Sequence, residues 1–123
     1  MASILVVDNS IFMRNFVGDM LHQLGHKVIA EATNGEEAVE QYQKYTPDLV
    51  TMDITMEKMS GIDALRAIKR INPEAKIIMC SSIATKSNTL EALKEGAVDF
   101  IVKPIELKQL IKSLNRAGLA GRT

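Results

Sequence analysis

Along the chain, short apolar runs alternate with segments whose apolar positions recur at helical spacing. That alternation is the pattern of βαβ units wound around a parallel sheet. Ser3 to Val7 is a continuous apolar run of strand length. A helix follows from about Ser10 to Leu24, with Phe12, Phe16, Met20 and Leu24 at every fourth position and Gly25 at its end. Lys27 to Ala32 reads as the second strand. Asn34-Gly35 then opens a helix that carries Ala38, Val39 and Tyr42 and stops before Pro47. The third strand is Asp48 to Asp53. A loop through Gly61 leads into a third helix marked by Ile62, Leu65, Ile68 and Lys69, which Asn72-Pro73 terminates. Lys76 to Ser81 is the fourth strand, and the helix from about Lys86 to Glu95 closes at Gly96, a residue suited to a left-handed cap. Val98 to Lys103 is the fifth strand, and Leu107, Leu110, Ile111 and Leu114 line the last helix.

Strands this apolar are buried on both faces, so the pattern predicts a three-layer α/β/α domain with five parallel strands and five helices. Right-handed crossovers leave few strand orders, and 2-1-3-4-5 is the expected one. No linker interrupts the rhythm, which gives one domain over residues 1–123. Ala117 to Thr123 are small and polar enough to fray.

Composition narrows the functions. Fifteen basic residues balance fifteen acidic ones, so no net field favours nucleic acid or an anionic membrane, and neither is an expected partner. The apolar runs fall short of the roughly 20 residues that span a bilayer. Asp8, Asn9, Ser10 and Arg14 break any signal-peptide pattern at the N-terminus, so a cytoplasmic location is expected. Cys80 is the only cysteine and reads as a small buried strand residue, which leaves no internal disulfide and no cysteine-rich zinc site. His22 and His26 flank the end of the first helix and read as solvated surface residues.

The chemistry is carried by the residues that close the strands. The first strand ends in Asp8 and Asn9, the third in Asp53, the fourth in Ser81, and the fifth in Lys103 followed by Pro104. In a parallel sheet these all project from the carboxyl edge, where ligands of such folds bind. Singly, each reads as a turn former or a cap. Together, two carboxylates and an amide make a hard oxygen site for one magnesium or manganese ion. Lys103 and Ser81 add the cation and hydroxyl that phosphoryl transfer requires, and Asp53, on the central strand, is the natural nucleophile.

With the stretches ILVVDNSIFMR, ATNGEEAVE, PDLVTMDITMEKMSG, AKIIMCSS and GAVDFIVKP, the chain resembles CheY-type response regulator receivers over essentially its whole length. Those receivers have the flavodoxin-like doubly wound fold with the order 2-1-3-4-5, so that order comes partly with the resemblance. The resemblance implies that Asp53 is the phosphoacceptor and that Asp8 and the main-chain carbonyl of Thr55 help hold the metal. It implies that Ser81 is the switch hydroxyl, that Lys103 contacts the phosphoryl group, that the Phe100 rotamer follows Ser81, and that the Lys103–Pro104 bond is cis. It further implies a stand-alone signalling domain, not an enzyme in the ordinary sense, which assists its own phosphorylation and dephosphorylation. A histidine kinase would supply the phosphoryl group, and a protein such as a flagellar motor switch component would receive the signal; a monomer is expected. Lys86, Lys94, Lys108 and Lys112 would line the target-facing surface around Phe100, or form a merely solvated one.

Three positions depart from the family pattern. Asn9 stands where an acidic residue usually contacts the metal, which implies weaker magnesium binding; it reads equally as the cap of the helix that Ser10 begins. Glu57 replaces the usual proline in the loop after Asp53, and Ser82 a more usual alanine. Met56 and Met59 could flank the site, while Met52 and Met79 read as core. Asn9 leaves open a second reading, a receiver-shaped binding module that signals without phosphorylation. A flavodoxin-like redox protein is disfavoured by the absence of tryptophan and by an acidic pocket that would repel a flavin phosphate.

Overall fold

A computed structural model describes residues 1–56, 58–83 and 85–119 of the chain. In chain order the elements are β1 (Ser3–Val7), α1 (Ile11–Gln23), β2 (Lys27–Ala32), α2 (Gly35–Tyr45), β3 (Leu49–Asp53), α3 (Gly61–Ile71), β4 (Ile77–Ser81), α4 (Lys86–Lys94), β5 (Asp99–Val102) and α5 (Leu107–Arg116). The five strands form one parallel sheet in the order β2-β1-β3-β4-β5. The sheet is that of a CheY-like doubly wound domain. Every predicted element is present, with boundaries moved by one or two residues.

Strand alternation sorts the core into two layers, because successive side chains of a strand leave opposite faces. Leu5, Val7, Val50, Met52, Ile77 and Met79 pack against α2 and α3 residues such as Ala38, Tyr42, Leu65 and Ile68. On the other face Ile4, Val6, Leu49, Ile78, Cys80 and Ile101 meet Val17, Met20, Leu21 and Leu24 of the α1 region and Leu110 and Leu114 of α5. Helix starts are fixed by side-chain caps: the Ser10, Asn34, Ser60 and Thr85 oxygens accept from main-chain amides three residues on.

The fourfold stripe of α1 does not all face the core. Met20 and Leu24 are buried, but Phe12 is 82% exposed and Phe16 is exposed as well. A helix turns 3.6 residues at a time, so a spacing of four drifts by about 40° per step, and Phe12 points about 120° away from Leu24. Val17 and Leu21 complete the buried face instead.

His26 is buried, contrary to the expectation of a solvated side chain, while His22 is exposed. Its Nδ1 accepts a hydrogen bond from the Ala2 amide at 3.0 Å, which ties the chain before β1 to the start of β2. Within the tail expected to fray, Ala117 is buried, Leu119 packs on the α5 layer, and the Leu119 amide donates to the Leu114 carbonyl at 2.8 Å. The rest of the expected tail, and Glu57, lie outside the described residues.

Candidate functional site: a carboxylate–lysine pocket at the sheet edge

The fold brings Asp8, Asp53, Ser81 and Lys103 to one place. Asp8 follows β1 directly, Asp53 and Ser81 are the last residues of β3 and β4, and Lys103 follows β5. Sheet-like pairing continues just past the strand ends and pins this rim. The Asp8 amide donates to the Ala32 carbonyl at 3.1 Å, the Ile54 amide to Cys80 at 3.1 Å, and the Lys103 amide to Ser81 at 2.9 Å. The Lys103–Pro104 bond is cis.

Asp8, Asp53 and Ser81 are 5%, 7% and 1% exposed, so these polar groups are buried at the sheet edge. Lys103 Nζ lies 2.7 Å from Asp8 Oδ2 and 3.5 Å from Asp53 Oδ1, one cation shared by two buried carboxylates. Burial raises the Asp53 carboxyl above its usual range; the Lys103 charge opposes the rise and the Asp8 charge adds to it. For Lys103, burial works against the ammonium, but the hydrogen bond to Asp8 and the charges of Asp53 and Asp8 outweigh it and hold the group above the usual lysine range.

Asp8 Oδ1 also accepts from the Ser10 amide at 2.9 Å, and Ser81 Oγ accepts from the Ile83 amide at 3.0 Å. Ser10, not Asn9, caps α1, so the capping role expected for Asn9 belongs to its neighbour. Asn9 and Thr55 are both exposed beside the pocket. Among the described residues no three acidic, histidine or cysteine side chains gather as a metal cluster. An ion here would draw on two carboxylates, neutral amide and carbonyl oxygens, and water. That all-oxygen donor set fits a small hard divalent cation that keeps part of its hydration.

Phe100 lies on β5, and its side chain is buried in the core layer that includes Met79 and Ala92. On α4, β5 and α5, Leu90, Leu93 and Val102 are exposed, as are Lys86, Lys94, Lys108 and Lys112. Met56 and Met59 are partly buried against the α2–α3 layer.

Sequence reasoning passed over several supporting residues. A Cβ on Gly61 would collide with the Asp53 carbonyl oxygen, and the Gly61 amide donates to the Ile54 carbonyl at 2.8 Å, so only glycine lets α3 start beneath Asp53. Gly35 is pressed in the same way against Met59 and donates to its carbonyl at 3.1 Å, which braces the loop after β3. Arg14 donates to the Asp8 carbonyl at 2.7 Å. Asp99, unremarked in its strand, is buried and accepts from Ser113 Oγ at 2.6 Å and Arg116 at 2.8 Å, locking α5 onto β5. The glycines following Asn34 and Ser60 were visible as turn residues, but only the fold shows what they approach.

Among the described residues no helix is long and apolar enough to cross a membrane. The CheY chemotaxis proteins of Thermotoga maritima and Bacillus subtilis are each 49% identical to this chain over 113 residues, 92% of the chain and 94% of theirs. Among solved structures, CheY in the CheX–CheY–BeF3–Mg complex of Borrelia burgdorferi superposes with a TM-score of 0.88 at 34% identity, covering 91% of this chain and 85% of that one. The response regulator domain of Thermotoga maritima CheB gives 0.87 at 38% identity, covering 94% of both chains. Residues 4–115 match the response regulator receiver domain family, and the chain belongs to it.

Proposed function

We propose that this receiver is a phosphorylation switch, one signalling unit in which Asp53 accepts a phosphoryl group from a histidine kinase. The observation that carries the reading is the sharing of the Lys103 ammonium by the buried Asp8 and Asp53 carboxylates. The P–N bond of a phosphohistidine donor breaks as an Asp53 carboxylate oxygen forms a P–O bond, and the leaving imidazole takes up a proton; water later hydrolyses the acyl phosphate. Asp8, Asn9, Asp53 and the Thr55 carbonyl would hold one Mg2+ or Mn2+, which supplies charge neutralisation between the carboxylates and the incoming group.

The chain's own residues do the rest. Lys103 turns from Asp8 toward the phosphoryl oxygens, and the Ser81 hydroxyl donates to another of them, making charge-assisted contacts that are absent beforehand. Pulling Ser81 inward strains its bond with the Ile83 amide and so moves the turn into α4. The surface of α4, β5 and α5 then shifts toward a population that a target protein prefers. The chemotaxis relatives support a cytoplasmic role in motor control, with a flagellar switch protein as target.

A second reading, binding without phosphorylation, rests on Asn9, an uncharged amide where receivers of this family usually place a second metal-binding carboxylate. Incubation with a small acyl phosphate separates the readings. The switch gains one phosphate by intact mass with Mg2+ and none with chelator; a binding module gains none in either.

A further inference from the structure

We propose that Arg14 is a positioning residue for the metal pocket, holding the Asp8–Asn9 turn in place through the Asp8 carbonyl. The inference rests on the assignment of Asp8 and Asn9 to the metal. Arg14 lies one helical turn beyond the Ser10 cap and reaches back over it. Its Nη1 donates to the Asp8 carbonyl at 2.7 Å and its Nε to Glu31 Oε1 at 2.9 Å. The side chain is only 13% exposed, so it is held between α1 and the end of β2, not waving in solvent.

Asp8 is thus fixed by four contacts: its amide by Ala32, its carboxylate by the Ser10 amide and Lys103, and its carbonyl by Arg14. Asn9 is not fixed by its own side chain, which is exposed and makes no hydrogen bond among the described residues. An amide brings no charge to draw the ion in. Its usefulness as a ligand depends on where the backbone puts it, and Arg14 grips the peptide unit that joins Asp8 to Asn9. The planar guanidinium serves both acceptors at once, which a lysine ammonium on a flexible stem does not reproduce.

Electrostatics sets the opposite expectation, and that makes the idea decidable. A guanidinium beside a cation pocket repels the cation, with Glu31 offsetting part of that repulsion. If Arg14 acted through charge alone, removing it would tighten metal binding. If it positions the turn, removing it weakens binding.

The test is a titration of the full chain with Mn2+, followed by electron paramagnetic resonance well below the melting temperature. It compares the wild type with Arg14→Met, Arg14→Lys, Glu31→Gln and, as a control for general loosening, Arg66→Met, which breaks partly exposed ion pairs to Asp63 within α3 and to Glu91 and Glu95 at the end of α4. Arg14→Met and Arg14→Lys bind Mn2+ about tenfold more weakly, the scale on which supporting residues act on metal sites. Glu31→Gln weakens binding less, and Arg66→Met leaves it unchanged. Unchanged or tighter binding in Arg14→Met, or equal weakening in Arg66→Met, overturns the inference. Should Arg14→Met fail to fold, Arg14→Lys decides, and wild-type affinity there overturns it. No Mn2+ binding by the wild type would overturn the metal assignment itself.

Discussion

Lys103 donates to Asp8 at 2.7 Å across 95 positions of sequence, and this one contact closes the sheet edge into a pocket. The ammonium sits where a metal's charge would be most useful. Lysine and ion therefore compete for the same carboxylates. Replacing Lys103 with Met leaves two buried carboxylates facing each other with no counter-charge, which destabilises the metal-free fold by about 1–3 kcal/mol. The same variant gains more stability from added Mg2+ than the wild type does. Thermal melts at increasing Mg2+ check both; equal metal-free melting temperatures would contradict the account.

Asp53 gives a pH signature. Burial raises its folded value, so its contribution favours the fold below the unfolded carboxyl value, about pH 4, and is lost as pH rises through the folded value. Ionised Asp53 is then a destabilising group at neutral pH without metal. Asp53→Asn melts several degrees above the wild type at pH 7 in chelator, and the gap closes toward pH 4. A wild type as stable as the variant at pH 7 would refute this.

His26 behaves with the opposite sign. Burial first, and then the positive terminal ammonium, lower its folded value. Its neutral form accepts from Ala2, so the stability it confers is present above the unfolded value of about 6.5 and is lost as pH falls below it. His26→Asn, whose side-chain oxygen can accept in place of Nδ1, loses less melting temperature between pH 7 and 5 than the wild type. Parallel pH profiles would show that His26 is not the group involved.

Asn9→Asp adds a carboxylate at the pocket mouth. Even at the dielectric constant of water a unit charge pair 4 Å apart is worth about 1 kcal/mol, and a divalent ion gains about twice that. Mg2+ then binds roughly tenfold or more tightly, since 1.4 kcal/mol is a factor of ten. Calorimetric or competition titrations giving equal affinities would remove Asn9 from the metal site.

The sheet edge was legible in sequence because a parallel strand's last residue has only one place to go. Asp53 and Ser81 end apolar runs, and Asp8 and Lys103 follow them, so topology alone gathers them. What stayed hidden depends on angle and on partners distant in sequence. The exposure of Phe12 follows from helical drift that a count of every fourth residue conceals. The burial of His26 depends on Ala2, 24 positions away, and Asp99 is explained only by Ser113 and Arg116 on the helix that returns to it. Arg14 stood within a matched stretch, yet its acceptor is a main-chain carbonyl, which no residue type advertises.

The central claim is that Asp53 is the residue that takes the phosphoryl group. Intact-mass spectra of the wild type and Asp53→Asn, after the same exposure to acyl phosphate and Mg2+, test it directly. The account predicts one added phosphate on the wild type and none on the variant; a phosphate retained by Asp53→Asn would contradict it.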